Sequence, residues 1–147
     1  EYALRAVVHL ADRTRPGGEV ALTTPQIAHA TRVPVGYLAK VLGQLARADL
    51  LRSQRGLHGG FTIAREANEI SVLDVVNAVD PVQRIHTCPL GLANHGTTLC
   101  PLHRRLDDAM ASIERAFADS TIADLLADPS PSRPLCGPAC TDGAKQM

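Results

Sequence analysis

The chain reads as a mainly α fold carrying one small β-hairpin, and three observations predict it. Apolar residues recur at spacings of three and four in Leu4, Val7, Val8, Ala11; in Leu38, Val41, Leu42, Leu45; and in Leu102, Leu106, Met110, Ile113, Phe117, each the apolar stripe of an amphipathic helix. Glycines cluster once, at Gly56, Gly59 and Gly60, between two short runs with no helical period, which marks a hairpin tip. Aromatic residues are 3% of the 147-residue chain and Trp is absent, so the core must be built from Leu, Val, Ile and Ala. Such a composition favours a small helical protein that completes its core by pairing with a second copy.

The elements follow in order. Residues 1–12 read as a first helix whose apolar pattern is already under way at Glu1, so further residues are expected upstream; RTRPGGEV at 13–20 is a loop broken by Pro16-Gly17-Gly18. Thr24-Pro25 reads as a helix start, with a hydroxyl at the cap and proline at the first helical position, and Ile27 and Ala28 face inward. A tight turn at Thr31-Arg32-Val33-Pro34 leads into the helix bearing Leu38, Val41, Leu42 and Leu45, whose other face carries Gly36, Tyr37, Lys40, Gln44 and Arg47. The strand–tip–strand follows, with Arg55 and His58 on the tip and glycines that let it lie close to another surface. Two helices joined by a tight turn, the second small and polar on its outer face, then a basic hairpin, form the layout of a winged helix-turn-helix DNA reader. On that reading the candidate DNA-contacting residues are Thr24, Gly36, Tyr37, Lys40, Arg55, His58, Gly59 and Gly60. Gly36, Tyr37 and Lys40 enter or flank the major groove, and Arg55 reaches phosphate or the minor groove.

Beyond the hairpin, Ser71-x-x-Asp74 resembles a capping box opening a short helix to Asp80, with Val72, Val75, Val76 and Val79 on its buried side. Residues 81–101 are irregular. From His103 a longer helix runs with its apolar stripe flanked by charge, and packing against its twin is the expected cover. Thr121-x-x-Asp124 caps a last short helix, TIADLLA, and a Pro-, Ser- and Gly-rich tail follows. The expected division is a winged helix-turn-helix domain at 1–80, a cysteine-bearing sensor loop at 81–102, a dimerisation helix with a short helix at 103–127, and a flexible tail at 128–147.

Net charge is zero, but it is unevenly placed: residues 1–66 hold nine Lys/Arg against five Asp/Glu, and residues 67–147 hold six against ten. A basic DNA-reading half joined to an acidic oligomerising or sensing half has that asymmetry. No paired carboxylates, nucleophile triad or phosphate-cradling loop is found, and Gly56-x-x-Gly59-Gly60 lacks the Lys-Ser/Thr of a phosphate loop, so an enzyme is a poor fit and is not expected. No run approaches a membrane span and no signal peptide is visible, so the expected location is cytoplasmic. The cysteines, Cys88, Cys100, Cys136 and Cys140, all fall in the second half, and in a reducing compartment metal or redox roles outweigh disulfides.

The order EYALRAVVHLA, TTPQIAHATRVPVGYLAKVLGQL, ADLLRSQRGLHGGFTIAR, ISVLDVVNAVD, then a cysteine-bearing loop before a long helix, resembles the Rrf2 family of bacterial transcription regulators over residues 1–127. The resemblance implies a homodimer, a winged helix-turn-helix in each subunit, and a long helix crossing to the partner. Within the family are iron–sulfur biogenesis regulators, nitric-oxide-sensing and iron-responsive repressors, and cluster-free regulators of cysteine metabolism. Cluster-bearing relatives usually have three closely spaced cysteines in this loop; here the pattern is Cys88-x11-Cys100-x2-His103, with His86 and His95 nearby. Thiolate is the soft ligand such clusters need, and imidazole replaces it at one or two positions in some centres. The implied ligands are Cys88, Cys100 and His103, with Glu1 of the partner subunit as a fourth, and [2Fe-2S] is favoured over [4Fe-4S]. The expected function is a repressor, binding a pseudo-palindromic operator with half-sites about one helical turn apart, whose affinity depends on a cluster sensing redox, nitric oxide or iron. The alternatives are a thiol switch at Cys88 and Cys100, a zinc site with His103, or a small-molecule sensor of the same fold. Cys136-Gly-Pro-Ala-Cys140 stands outside the family core, with the spacing of a metal-binding or redox pair.

Overall fold

The computed structural model describes residues 1–18, 20–56, 58–91, 98–130 and 134–135. His95, Cys136 and Cys140 lie outside the described residues. The described elements are α1 (Tyr2–Arg13), α2 (Thr24–Thr31), α3 (Val35–Arg47), β1 (Leu51–Gln54), β2 (Gly60–Ile63), a 3-10 turn (Ala67–Glu69), α4 (Val72–Val79), α5 (Pro101–Ala118) and α6 (Ile122–Ala127).

The helical periods of the sequence become the core. Val7 and Leu10 of α1, Ile27 of α2, and Leu38, Val41, Leu42 and Leu45 of α3 are fully buried together, with Leu50, Ile63, Ile70, Val75 and Ile122 closing around them. Each such side chain removed from water contributes roughly 1.5–3 kcal/mol, so this one cluster is the main stabilising element. Of the valines expected on the inner side of α4, Val72 and Val75 are buried while Val76 and Val79 are half-exposed.

Three boundaries differ from expectation. The cap of α2 is Thr23, not Thr24: the Thr23 hydroxyl accepts from the Gln26 amide, and the Gln26 side chain accepts from the Thr23 amide at 2.8 Å. Gln26 is a three-residue partner of Thr23, and reciprocal capping fixes the frame that a Thr-Thr-Pro run leaves open. Helix α1 extends to Arg13. Helix α5 begins at Pro101 with Cys100 as its cap, because proline at the first helical position has no amide to satisfy. The boxes at Ser71/Asp74 and Thr121/Asp124 form as expected, and the Thr121 hydroxyl holds the Asp124 carboxyl below its ordinary pKa.

β1 and β2 pair antiparallel, Leu51 opposite Ile63 and Gln54 opposite Gly60. Two further pairings tie distant segments together and have no periodic signature. Leu22 bridges Phe61, through Leu22 N–H to Phe61 O at 3.0 Å and Phe61 N–H to Leu22 O at 2.8 Å. Ser71 bridges Thr121, with Val72 N–H donating to Ser120 O at 2.8 Å and Ile122 N–H to Ile70 O at 2.9 Å. The first fastens the hairpin to the start of α2. The second returns the chain from α5 to the core, where Ile122 is fully buried.

Helix α5 itself buries no residue. Leu102, Leu106 and Ile113 are 63%, 43% and 42% exposed, and Met110 and Phe117 are half-exposed. Among the described residues the stripe expected to need a cover is only partly covered.

Candidate nucleic-acid interface and metal centre

The outer face of α3 is the first candidate surface. Gly36, Tyr37, Lys40 and Arg47 are exposed on it, while the opposite stripe is buried in the core. A Cβ at Gly36 would meet nothing within 4 Å, so the glycine is not required by packing. Gln44, expected on this face, instead turns to α4, its amide donating to Val79 O at 3.4 Å. The end of α2 leads straight into α3 through Arg32, which adopts a left-handed conformation (φ 56°) and is exposed. Thr24 is the first residue of α2 and half-exposed, so it does not cap the helix.

The rest of this face is braced by α1. The Tyr2 ring meets the Tyr37 ring edge-on at 5.4 Å, and the Arg5 guanidinium lies over Tyr2 at 5.6 Å. Arg5 also donates to Thr31 O at 3.1 Å, satisfying a carbonyl at the end of α2. Sequence periodicity gives no hint of this bracing, because its members lie on the polar side of each helix.

The hairpin is the second surface. Arg52, Arg55 and His58 are exposed, and Gly56 turns the tip with φ 101°. The glycines divide in purpose. A Cβ at Gly60 would stand 2.5 Å from Leu22 O, and one at Gly59 would stand 2.7 Å from Gln54 O. The close approach expected of Gly59 and Gly60 is thus made to the chain's own backbone, and these glycines shape the hairpin from which Arg55 and His58 project.

The third candidate is the loop ahead of α5. Cys100 Sγ lies 3.3 Å from His103 Nδ1, so the pair converges on one side of the helix start as their three-residue spacing predicts. Cys88 is half-buried on the other limb. Among the described residues no three His, Cys, Asp or Glu side chains gather as a metal site would. Glu1 is not beside this pair: its carboxylate binds Arg5 Nε at 2.6 Å, on the rim of a groove of about 200 Å³ that Tyr37, Val76 and Asp80 also line. A thiol and an imidazole side by side are a chemically suitable pair of neighbouring ligands for iron or zinc.

The loop has an anchor that sequence reasoning missed. Arg84 makes paired bonds to Asp107, Nε to Oδ1 and NH2 to Oδ2, each 2.7 Å, and a third from NH1 to Glu114 at 2.9 Å. Asp107 Oδ1 also accepts the Ile85 amide at 2.9 Å. These bonds hold Asp107 well below the ordinary carboxylate range and raise the Arg84 guanidinium above its ordinary value. The partners lie 23 and 30 residues apart in sequence, with no local pattern to reveal them.

The family model for Rrf2, described as an iron-dependent transcriptional regulator, matches residues 1–128. The chain belongs to the Rrf2 family. An HTH-type transcriptional regulator of Mycobacterium tuberculosis is 35% identical over 129 residues, covering 85% of this chain and 76% of that protein. Among solved structures, T. potens IscR superposes with a TM-score of 0.68 at 25% identity, covering 88% of this chain and 83% of that one. CymR, the global cysteine regulator of B. subtilis, superposes with a TM-score of 0.66 at 22% identity, covering 84% and 89%, and shows the shared fold alone. As an Rrf2 member the chain is a DNA-binding transcriptional regulator and not an enzyme, with the winged-helix fold that the sequence predicts. No helix among the described residues is long and apolar enough to cross a membrane.

Proposed function

We propose that this Rrf2 regulator is a cytoplasmic, homodimeric repressor whose affinity for a pseudo-palindromic operator is set by an iron–sulfur cluster, [2Fe-2S] rather than [4Fe-4S]. The observation that carries the cluster reading is the 3.3 Å approach of Cys100 Sγ to His103 Nδ1 at the cap of α5. Cys88, earlier in the same loop, would supply the second thiolate, and Glu1 of a second subunit the fourth donor. When bound, the group supplies a centre responsive to redox, nitric oxide or iron, and mixed N, O and S ligation leaves it more labile than four thiolates would.

In this reading the chain's own residues carry the DNA contact. Lys40, Tyr37 and Gly36 face the major groove, Arg55 and His58 reach the backbone or minor groove from the hairpin, and Thr24 contacts the flank from the start of α2. Gly59 and Gly60 act by holding the hairpin flat. The exposed stripe of α5 packs against its twin, which sets the half-site spacing.

Operator binding by Cys100→Ala and His103→Ala, each compared with the parent protein purified without oxygen, tests the link between loop and DNA. Cys100→Ala is expected colourless with altered operator affinity, and His103→Ala is expected to hold a labile centre. Identical affinity and identical colour in Cys100→Ala and parent would refute it. A second reading, a thiol switch between Cys88 and Cys100, is favoured by the absence of a three-donor group among the described residues. It predicts an operator affinity that follows disulfide state in iron-free protein.

A further inference from the structure

We propose that Arg84 is a positioning residue for the thiol loop: locked to Asp107 and Glu114, it closes the base of the loop and holds the Cys88 limb alongside the start of α5. The inference rests on the sensor reading above for its biological relevance, while the strap itself is independent of any metal.

The geometry is that of a fastening rather than a surface ion pair. Exposed single pairs contribute little because two long side chains must be immobilised. Here the guanidinium makes a paired, planar bond to one carboxylate and a third bond to another, while retaining only 28% of its side-chain exposure against 16% for Asp107. Asp107 and Glu114 are seven residues apart, two helical turns, and so present their carboxylates on one face of α5. Asp107 also takes the Ile85 amide, which fixes backbone as well as side chain. On the other side, Val82 N–H donates to Asn77 Oδ1 at 3.3 Å, tying the start of the segment back to α4.

The positions of the thiols follow from chain reach. Cys88 is three residues beyond Ile85, an extended reach of about 10 Å. Cys100 is seven residues before Asp107, a helical rise of about 10 Å. A clamp at Ile85–Asp107 therefore limits how far Cys88 can swing from α5, whose face carrying Asp107 and Glu114 is also the one on which Cys100 falls, seven residues earlier. Without it the strap no longer fixes the start of the Cys88 limb against α5, and the concentration of one thiol at the other falls.

The test uses the full chain with Cys136→Ser and Cys140→Ser, stripped of metal and reduced, and a short bis-maleimide as the probe. The within-chain product joining Cys88 to Cys100 is separated by mass from cross-links between chains. Arg84→Ala is expected to lower its yield relative to single alkylation by about tenfold, as effective concentration falls. Asp107→Asn is expected to act in the same direction. Arg84→Lys should fall between, since an ammonium keeps the charge but not the paired bonds. Circular dichroism melting checks the fold; where Arg84→Ala does not fold, Arg84→Lys against parent supplies the comparison. An unchanged cross-link ratio in a folded variant overturns the proposal, even where the melting temperature drops. Iron and sulfide assayed on metal-loaded samples separate this from the cluster reading: cross-linking that depends on Arg84 in a protein that takes up no iron upholds the strap and removes the cluster.

Discussion

Arg55 stands exposed at the hairpin tip between β1 and the left-handed Gly56, with nothing in the core to contribute to. Arg55→Ala is therefore expected to leave the fold and association state unchanged while weakening operator binding. The slope of log affinity against log salt should become shallower by about one unit for a lost phosphate contact; gel shifts over a salt series read it. Gly36 gives a sharper probe of the recognition helix. Open space surrounds its missing Cβ, so Gly36→Ala costs no packing, and any loss of operator affinity reports contact with DNA. Gly60→Ala reads oppositely: its Cβ would collide with Leu22 O, so it should lower the melting temperature together with affinity. His9 adds a pH dependence. Desolvation, with Arg13 adding to it, lowers its pKa from the ordinary 6.5, so the unfolded chain binds the proton more readily than the folded one. Stability is then full above about pH 6.5 and declines as pH falls below it toward the depressed folded value. Denaturant melts from pH 8 to pH 5 should show that decline, and His9→Gln should flatten it.

At the scale of elements, what was legible was what repeats. The stripe Leu38, Val41, Leu42, Leu45 specifies which face of α3 is buried, and Ser71/Asp74 and Thr121/Asp124 specify where α4 and α6 start. What was not legible depends on pairs distant in sequence. Leu22 with Phe61 and Ser71 with Thr121 are single bridges of two or three residues, too short to leave an alternating pattern. Thr23 and Thr24 are chemically alike, so the sequence alone does not say which caps α2; only the Gln26 bond distinguishes them. Thr23→Ala should thus destabilise the protein by about 1 kcal/mol, the usual worth of an N-cap hydroxyl, and Thr24→Ala by much less. Chemical denaturation of the two variants side by side checks this. For the site, Cys100 and His103 were legible as a pair from their spacing, whereas Arg84 was not, since a lone arginine in an irregular segment has partners only once α5 is in place.

At the scale of the molecule, the described residues build a closed core around α1 to α4 and α6 and leave α5 outside it with an apolar stripe largely exposed. Replacing Ile113 and Phe117 together with aspartate is expected to yield a folded monomer by light scattering, because each buried side chain of this size contributes roughly 1.5–3 kcal/mol and a two-fold axis doubles the loss. A dimer that survives the double substitution would move the interface elsewhere. The strap from Arg84 to α5 then has a place in the whole: it connects the thiol limb to the same helix that carries the stripe. The cluster proposed at Cys88, Cys100 and His103 would govern DNA binding. It is tested most directly by purifying the full chain without oxygen, recording the absorption spectrum, assaying iron and acid-labile sulfide, and titrating operator DNA before and after the cluster is removed. The expected result is a coloured protein with iron and sulfide in equal amounts, and an operator affinity that changes when they are lost. Well-folded protein carrying neither, even after reconstitution, or an affinity indifferent to their presence, would contradict it.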